Sequence, residues 1–303
     1  MALAMESSVI ELKADGACAR LLAHAGGRVS ALSLIKPNGQ AADVLYPYPE
    51  DFFDPIVWAK GGIYPLMPYS NRIANAVLQV NGDAVALQPH PNALPHTLHG
   101  NAHAQAWRAE QTDAASATLV LDSPASPAWP WHYTARMRFE LTASSLHVQL
   151  TLRNVDRRTM PAGFGLHPYF LHDPAAKLSY AASSVWPATA EYLPGTEREQ
   201  RSDESYVPAR CLPDGPLTDY VGGWNGSASV DLPQDARLNI QADPVFGHLV
   251  VHRPENPAYL CLEPVSHVAD GFNLAARGVA RTGTHWLQPG ESLTGGMRFT
   301  LTG

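Results

Sequence analysis

Apolar and polar residues alternate with a period of two along much of the chain. In residues 146–153 every even position is apolar and every odd position is polar, which predicts a strand with one face in the core and the other in water. Residues 136–141 alternate in the same way, and the Ala-Ser-Ser sequence at 143–145 predicts a turn between the two runs. This arrangement is typical of an antiparallel hairpin.

A second hairpin is predicted in residues 77–87, where Asn81-Gly82 separates two β-prone runs. Residues 292–301 form a further alternating run, and the 23 glycines and 26 prolines are too many for a helical bundle. We therefore predict an all-β fold, a large antiparallel sandwich or barrel. We expect one domain over residues 1–303, with residues 197–208 as a surface loop.

Composition narrows the class of ligand. Of the 303 residues 45% are hydrophobic and 16% charged, and the formal net charge is -7. Basic residues do not cluster beyond the pair Arg157-Arg158, so nucleic acids and anionic membranes, which need a basic surface, are poor candidate partners. A neutral, hydroxyl-rich small molecule fits better, and the sequence leaves a monomer and a homodimer equally open.

The cysteines and the N-terminal segment bear on the compartment. Cys18, Cys211 and Cys261 are odd in number and far apart, which fits neither a disulfide framework nor a C-x-x-C metal site and favours a reducing compartment. Residues 1–12 lack the basic and apolar regions of a signal peptide, and no run approaches the roughly 20 apolar residues of a membrane span. We therefore expect a cytoplasmic protein.

Four polar segments interrupt the alternation, and the first two allow several interpretations. Residues 68–75 contain Arg72, whose five N–H donors suit it to holding an oxygen atom; a turn with a solvated arginine is the alternative. Residues 95–103 contain His96, His99 and His103. Their spacing is compatible with a metal site, with a single hydrogen-bonding His99, or with an exposed cluster.

The other two segments carry a candidate acid/base pair. His167 lies among aromatic residues, glycines and a proline at 163–170, which is compatible with a core histidine or with an imidazole at a pocket wall. A buried strand is predicted at 259–262, with Glu263 at its end and Pro264 stopping it. Burial would raise the pKa of Glu263 toward the range of a general base, whereas an ion pair with an arginine would give it a structural role.

Together these segments resemble one family, the aldose 1-epimerases or galactose mutarotase-like proteins, in their bacterial branch. The match extends along most of the chain and consists of Pro-Tyr-Ser-Asn-Arg-Ile at 68–73, Leu-His-Gly at 98–100, Trp-Pro-Trp-His-Tyr at 129–133, Gly-Leu-His-Pro-Tyr-Phe at 165–170, Leu-Glu-Pro at 262–264, His267, and Gly-Phe-Asn at 271–273. The resemblance implies a large β-sandwich of the mutarotase type that binds a sugar on one sheet face.

The resemblance also implies roles for individual residues. By matching position, Glu263 would be the general base and His167 the general acid. His99 and Arg72 would bind and polarise substrate oxygens, with Asn71 beside them. The family grips sugar hydroxyls with a further aspartate, for which Asp219 in residues 217–226 is the best match, although Tyr220 replaces the polar residue that often follows.

The expected reaction is interconversion of the α and β anomers of a free aldose by ring opening and closure. It transfers no electrons and no group, so we expect no cofactor and no metal, in agreement with the absence of dinucleotide, P-loop and metal-ligand motifs. Three alternatives remain. A hexose-phosphate 1-epimerase would need extra basic residues at the pocket, a sugar-binding protein would lack the chemistry, and a metal-dependent isomerase would use His96, His99 and His103.

Overall fold

Strands dominate the computed structural model, which describes residues 9–51, 53–56, 60–255 and 258–302. In chain order they are β1 (Val9–Ala14), β2 (Ala17–Leu22), β3 (Arg28–Ile35), β4 (Ala41–Asp43), β5 (Ile63–Leu66), β6 (Arg72–Ile73), β7 (Val77–Val80), β8 (Asp83–Ala86), β9 (Thr97–Leu98), β10 (Arg108–Thr112), β11 (Ser116–Ser123), β12 (Tyr133–Leu141), β13 (Ser145–Asn154), β14 (Met160–Ala162), β15 (Gly165–Pro168), β16 (Phe170–Leu171), β17 (Lys177–Tyr180), β18 (Ser184–Pro187), β19 (Arg198–Glu199), β20 (Arg210–Cys211), β21 (Leu217–Gly222), β22 (Ser227–Leu232), β23 (Ala236–Ala242), β24 (His248–Arg253), β25 (Tyr259–Val265), β26 (His285–Leu287) and β27 (Ser292–Leu301). An α-helix, α1, covers Gly271–Ala276, and 3-10 turns lie at Ala23–Ala25, Ala74–Ala76, Pro91–Ala93, Ala102–Ala104 and Ser202–Glu204. Within the described ranges, no helix is long and apolar enough to cross a membrane.

Both predicted hairpins are confirmed. β12 pairs with β13, and β7 pairs with β8. Asn81 and Gly82 have φ angles of 52° and 90°, the left-handed conformation that a tight two-residue hairpin turn requires. The run at 292–301 forms β27, which lies between β13 and β23. The segment 197–208, expected as a loop, also carries the two-residue β19 and one 3-10 turn.

The prediction that Pro264 stops its strand is wrong. β25 continues through Glu263 and Pro264 to Val265, and Pro264 lies opposite Leu249 of β24. A proline inside a sheet is tolerated where no neighbouring strand offers an acceptor for the N–H group that proline lacks. On its other side β25 meets β15 only through Val265 and Gly165, so Glu263 lies within the strand rather than at its end.

Two large antiparallel sheets dominate the described part of the fold, beside the two-stranded sheets β6-β9, β7-β8 and β14-β26. One follows the path β1-β2-β3-β5-β15-β25-β24-β21-β18-β19, with β4 and β16 paired at its side, and the other has the order β10-β11-β12-β13-β27-β23-β22-β17-β20. The main hydrophobic cluster combines side chains of the first sheet, such as Leu32 and Leu262, with those of the second, such as Met137 and Leu150. The sheets enclose this core between them, which confirms the predicted antiparallel sandwich.

Successive residues of the first sheet's central strands point alternately into this core and away from it. In β21, Val221 belongs to the core whereas Tyr220 belongs to a second cluster on the outer face, and in β25 Leu262 and Cys261 divide in the same way. The outer cluster also contains Leu98, which comes from β9 outside this sheet. The central strands are therefore covered on both faces.

Two segments that cover the outer face are tied together by hydrogen bonds. Ser70 N donates to His267 Nε2 at 3.3 Å. Asp270 N donates to the carbonyl oxygen of Arg72 at 2.7 Å, and Asp270 Oδ1 accepts from Ala74 N at 3.0 Å. The turn that carries Arg72 is thus fixed to the segment that follows β25.

Asn273, in α1, extends this connection to β7. Its Oδ1 accepts a hydrogen bond from Gln79 N at 2.8 Å, and its Nδ2 donates to the carbonyl oxygen of Val77 at 2.9 Å. Nδ2 also donates to Asp270 Oδ1 at 2.7 Å. One buried amide therefore satisfies two backbone groups and a carboxylate.

Gly100 permits a close approach of two turns on the outer face. Its φ is +66°, and a Cβ atom at this position would lie 2.1 Å from the carbonyl oxygen of Met67. Gly82, in the β7–β8 turn, is also left-handed at φ +90°, but its Cβ would have no atom within 4 Å. The two glycines share a backbone requirement and differ in the space available.

We expect Gly100→Ala to destabilise the protein by several times as much as Gly82→Ala. The left-handed backbone costs an alanine about 1–2 kcal/mol at either position, and only at 100 does the methyl group meet a backbone oxygen. Urea unfolding midpoints of the two variants measure the difference. Equal midpoints would contradict the packing at Met67.

We expect Asn273→Ala to lower the free energy of unfolding by about 1–3 kcal/mol, because it leaves buried backbone groups without partners. Asn239→Ala is the matched control, since its amide donates only to the exposed Thr302 Oγ1. Chemical denaturation of both variants makes the comparison. A loss as small as that of the control would show that Asn273 does not hold β7 in place.

Candidate active site

Strand register places His167 beside Glu263. β15 lies between β5 and β25, and His167 is directly opposite Tyr64 of β5. On the other side Gly165 pairs with Val265 in antiparallel register. Two residues after Gly165 and two residues before Val265, the same register places His167 opposite Glu263. Their side chains share the outer face, with His167 Nε2 3.3 Å from Glu263 Oε1.

Two tyrosine rings hold the His167 imidazole. The ring of Tyr64 stacks on one side at 4.8 Å between centroids and 23° between planes, and Tyr169 stacks at 4.6 Å and 15°. The ring of His99 approaches edge-on at 5.3 Å. The sequence left open a core histidine and an imidazole at a pocket wall. Both descriptions apply in part, because His167 is only 6% exposed and still lines a cavity.

Burial controls the protonation of the pair. Removal of Glu263 from water raises the pKa of its carboxyl group to about 8, and the nearby ammonium of Lys60 only partly opposes this. Burial, with smaller contributions from the neighbouring His252 and Lys60, lowers the pKa of His167 well below its usual value. At neutral pH the carboxyl group is therefore protonated and the imidazole is neutral, so the pair carries no net charge. Transfer of that proton between the two side chains gives a carboxylate and an imidazolium.

Asn71 and His99 lock two turns together beside this pair. Both have left-handed backbones, with φ angles of 59° and 62°. His99 N donates to the carbonyl oxygen of Asn71 at 2.8 Å, and Asn71 N donates to His99 Nδ1 at 3.2 Å. Burial lowers the pKa of His99 well below its usual value, so the neutral ring, with Nδ1 accepting, carries its hydrogen on Nε2.

Arg72 follows Asn71 directly and lies at the side of the cavity. The Asn71 side-chain oxygen accepts from Arg72 N at 2.9 Å, and β6 pairs Arg72 with Leu98 of β9. The guanidinium group lies 4.7 Å from the centroid of the Tyr192 ring, a cation–π contact that limits its movement. Of the two interpretations of Arg72, the ordered donor is favoured over the solvated turn.

These residues surround a cavity of about 250 Å³, which we call the central hollow. Five of the six predicted site residues line it: Asn71, Arg72, His99, His167 and Glu263. Sequence reasoning missed other polar residues that line it, which are Lys60, Tyr64, Asn92, Tyr169, Tyr192, Thr218, Tyr220, His252 and Tyr259. Period-two spacing from Glu263 marks Cys261 and Tyr259 as sharing its face, but which residues of β21 and β24 lie alongside depends on register between distant strands.

Asp219 does not join this group. It alternates with Thr218 and Tyr220 along β21, and those two residues line the central hollow. Asp219 instead faces a separate cleft with Arg198 and Glu204, and burial raises its pKa. The residue matched by motif thus lies on the opposite face of its strand, so we no longer place it at the site.

The three histidines of the second segment also separate. The rings of His99 and His103 lie 6.4 Å apart at nearly a right angle, whereas His96 Nδ1 accepts a hydrogen bond from Asn75 N at 2.9 Å. Among the described residues they do not form a cluster with metal-ligand spacing; a His167–Cys261–Glu263 cluster has that spacing. The arrangement therefore favours a hydrogen-bonding His99 over a three-histidine metal site.

Comparison with known proteins agrees with this architecture. The family model described as aldose 1-epimerase matches residues 8–300. The protein YphB of Escherichia coli (strain K12) is 29% identical over 247 residues, covering 78% of this chain and 83% of YphB. The solved structure of an Escherichia coli K12 protein described as a candidate aldose 1-epimerase has a TM-score of 0.84 at 24% identity, covering 97% of this chain and 98% of that one. A galactose mutarotase-like protein from Clostridium acetobutylicum has a TM-score of 0.83 at 18% identity, covering 99% and 97%. The structural likenesses establish the fold, and the match to the family model over nearly the whole length establishes that this chain belongs to the aldose 1-epimerase family.

Proposed function

We propose that this protein is an aldose 1-epimerase that interconverts the α and β anomers of a free aldose. The observation that supports this most directly is the 3.3 Å approach of His167 Nε2 to Glu263 Oε1 at the central hollow. A buried acid and a buried base that share one proton match the need of the reaction, which moves one proton between two oxygens of the same sugar.

Ring opening needs a base at the anomeric hydroxyl and an acid at the ring oxygen. Glu263, as carboxylate, takes the proton of the C1 hydroxyl while His167, as imidazolium, gives its proton to the ring oxygen. The C1–O5 bond breaks and a C1 carbonyl forms. Each positioned group contributes about 10²–10⁴-fold to the rate.

Ring closure reverses both roles. After rotation about C1–C2, the protonated Glu263 returns a proton to the carbonyl oxygen and the neutral His167 takes one from the C5 hydroxyl. The pair ends in the state in which it began, so one proton serves every turnover. In the empty hollow that proton resides on Glu263; hydroxyl groups of a bound sugar that hydrogen-bond to the carboxylate favour its charged form and move the proton to His167.

Arg72 and the neutral His99 would hold the reacting oxygens. The His99 Nε2–H and the guanidinium of Arg72 are donors fixed by the turns that carry them, so they need little reorganisation as charge shifts on opening. Stacking against Tyr64 and Tyr169 restricts rotation of the His167 ring. None of these steps transfers an electron or a group, so the proposal invokes no cofactor.

We expect Glu263→Gln and His167→Asn each to lose at least about 10²-fold in turnover, because each removes one of the two proton carriers. The measurement is polarimetry on freshly dissolved α-glucose and α-galactose. Glu50→Gln is a control carboxylate variant, since Glu50 pairs with Arg20 away from the hollow.

A folded Glu263→Gln protein that equilibrates either sugar at the wild-type rate would contradict the proposal. Circular dichroism and the unfolding midpoint establish that each variant is folded. A wild-type protein that binds these sugars without accelerating their mutarotation would instead favour the alternative of a sugar-binding protein.

A hexose phosphate is a second candidate substrate, and the position of Lys60 favours it. Lys60 lines the central hollow together with Arg72, which supplies the second cationic group that a phosphorylated sugar would need. If so, Lys60→Met would lower kcat/KM for glucose 6-phosphate at least about tenfold more than for glucose. Equal losses for both sugars, or no activity on the phosphate, would favour the free aldose.

A further inference from the structure

Cys261 brings a third ligand atom to the acid/base pair. It precedes Glu263 by two residues on β25 and therefore shares its face. One ligand atom from each of His167, Cys261 and Glu263 lies within 4.8 Å of the other two, and all three residues are buried. Cys261 is not among the residues that line the central hollow, and the proposed epimerisation makes no use of it.

Two atoms of this cluster also have unused bonding capacity. Glu263 Oε2 and His167 Nδ1 are buried and have no hydrogen-bond partner among the described residues. A buried polar atom without a partner is costly unless something else satisfies it. Glu263 Oε2 therefore has capacity for a further partner.

The donor set selects the class of ligand. One sulfur, one imidazole nitrogen and one carboxylate oxygen match thiophilic divalent cations, whereas Mg²⁺ and Ca²⁺ prefer oxygen ligands alone. With Zn–N and Zn–O bonds of about 2.0–2.1 Å, a tetrahedral Zn²⁺ site places these two atoms about 3.3 Å apart. His167 Nε2 and Glu263 Oε1 are 3.3 Å apart. Cys261 Sγ lies within 4.8 Å of a ligand atom of each of the other two residues.

We propose that His167, Cys261 and Glu263 form a binding site for a thiophilic divalent cation, Zn²⁺ or Cd²⁺, and that the bound ion blocks epimerisation. On binding, the thiol and carboxyl protons leave to solvent and both groups coordinate as anions beside the neutral imidazole. The fourth coordination position faces the hollow and takes water. The blocking effect rests on the proposed function, because the ion would occupy both proton carriers. The existence of the binding site does not depend on that function.

Cadmium is the probe, because a Cd²⁺–thiolate bond has a charge-transfer absorption band in the ultraviolet. The remaining cysteines, the half-buried Cys18 and the exposed Cys211, are removed first in a Cys18→Ser/Cys211→Ser protein. We expect this protein to bind one Cd²⁺ per chain with the thiolate band, and a further Cys261→Ala substitution to abolish the band. Cys261→Ser is the second variant, retained in case alanine perturbs the buried strand.

His167→Asn in the same background supplies an independent test, since it should weaken Cd²⁺ binding while leaving the thiol in place. Absence of the band in the Cys18→Ser/Cys211→Ser protein, or its persistence after removal of Cys261, would overturn the site. Polarimetry is the second readout, with each protein compared with its own metal-free rate. Full activity of the cadmium-loaded protein would overturn the blocking effect while leaving the proposed function intact.

Discussion

The constraint on which the site depends is the burial of a carboxyl group and an imidazole against each other. Either group alone, ionised and withdrawn from water, would cost several kcal/mol. Here burial keeps both groups neutral at neutral pH, because it raises the carboxyl pKa of Glu263 to about 8 and lowers the pKa of His167. The rings of Tyr64 and Tyr169 both stack against His167 and add to its burial. Burial of the pair thus also sets the protonation states that allow it to exchange a proton.

The rest of the outer face keeps the oxygen-binding groups at a fixed distance from that pair. The turn that carries Arg72 is hydrogen-bonded to the chain just beyond Glu263, through Ser70 and His267 and through Ala74 and Asp270. The partner turn at His99 is held by reciprocal bonds with Asn71. The turns that carry Arg72 and His99 are therefore fixed to the segment that directly follows Glu263, although they lie far from it in the chain.

Sequence pattern predicted the parts of this fold that local chemistry determines. Alternation gave the β12–β13 hairpin, Asn81-Gly82 gave the β7–β8 turn, and motif order brought His167 and Glu263 to notice together. Asp219 was misplaced because a motif match does not show which face of β21 carries a residue. Tyr220 and Val221 are both buried, so alternation does not distinguish the two faces. The stack of Tyr64 on His167, and the approach of Cys261 to His167, depend on register between strands far apart in sequence, which no local pattern encodes.

The division of the central strands into two sets of residues has an evolutionary consequence. On β21, β24 and β25 the even and odd positions belong to different environments, one building the sandwich and the other facing the ligand. Selection on foldability acts mainly on the first set and selection on specificity on the second, although both are written in the same short stretches. Substitutions at alternate positions of these strands can therefore change ligand specificity while the sandwich core stays the same.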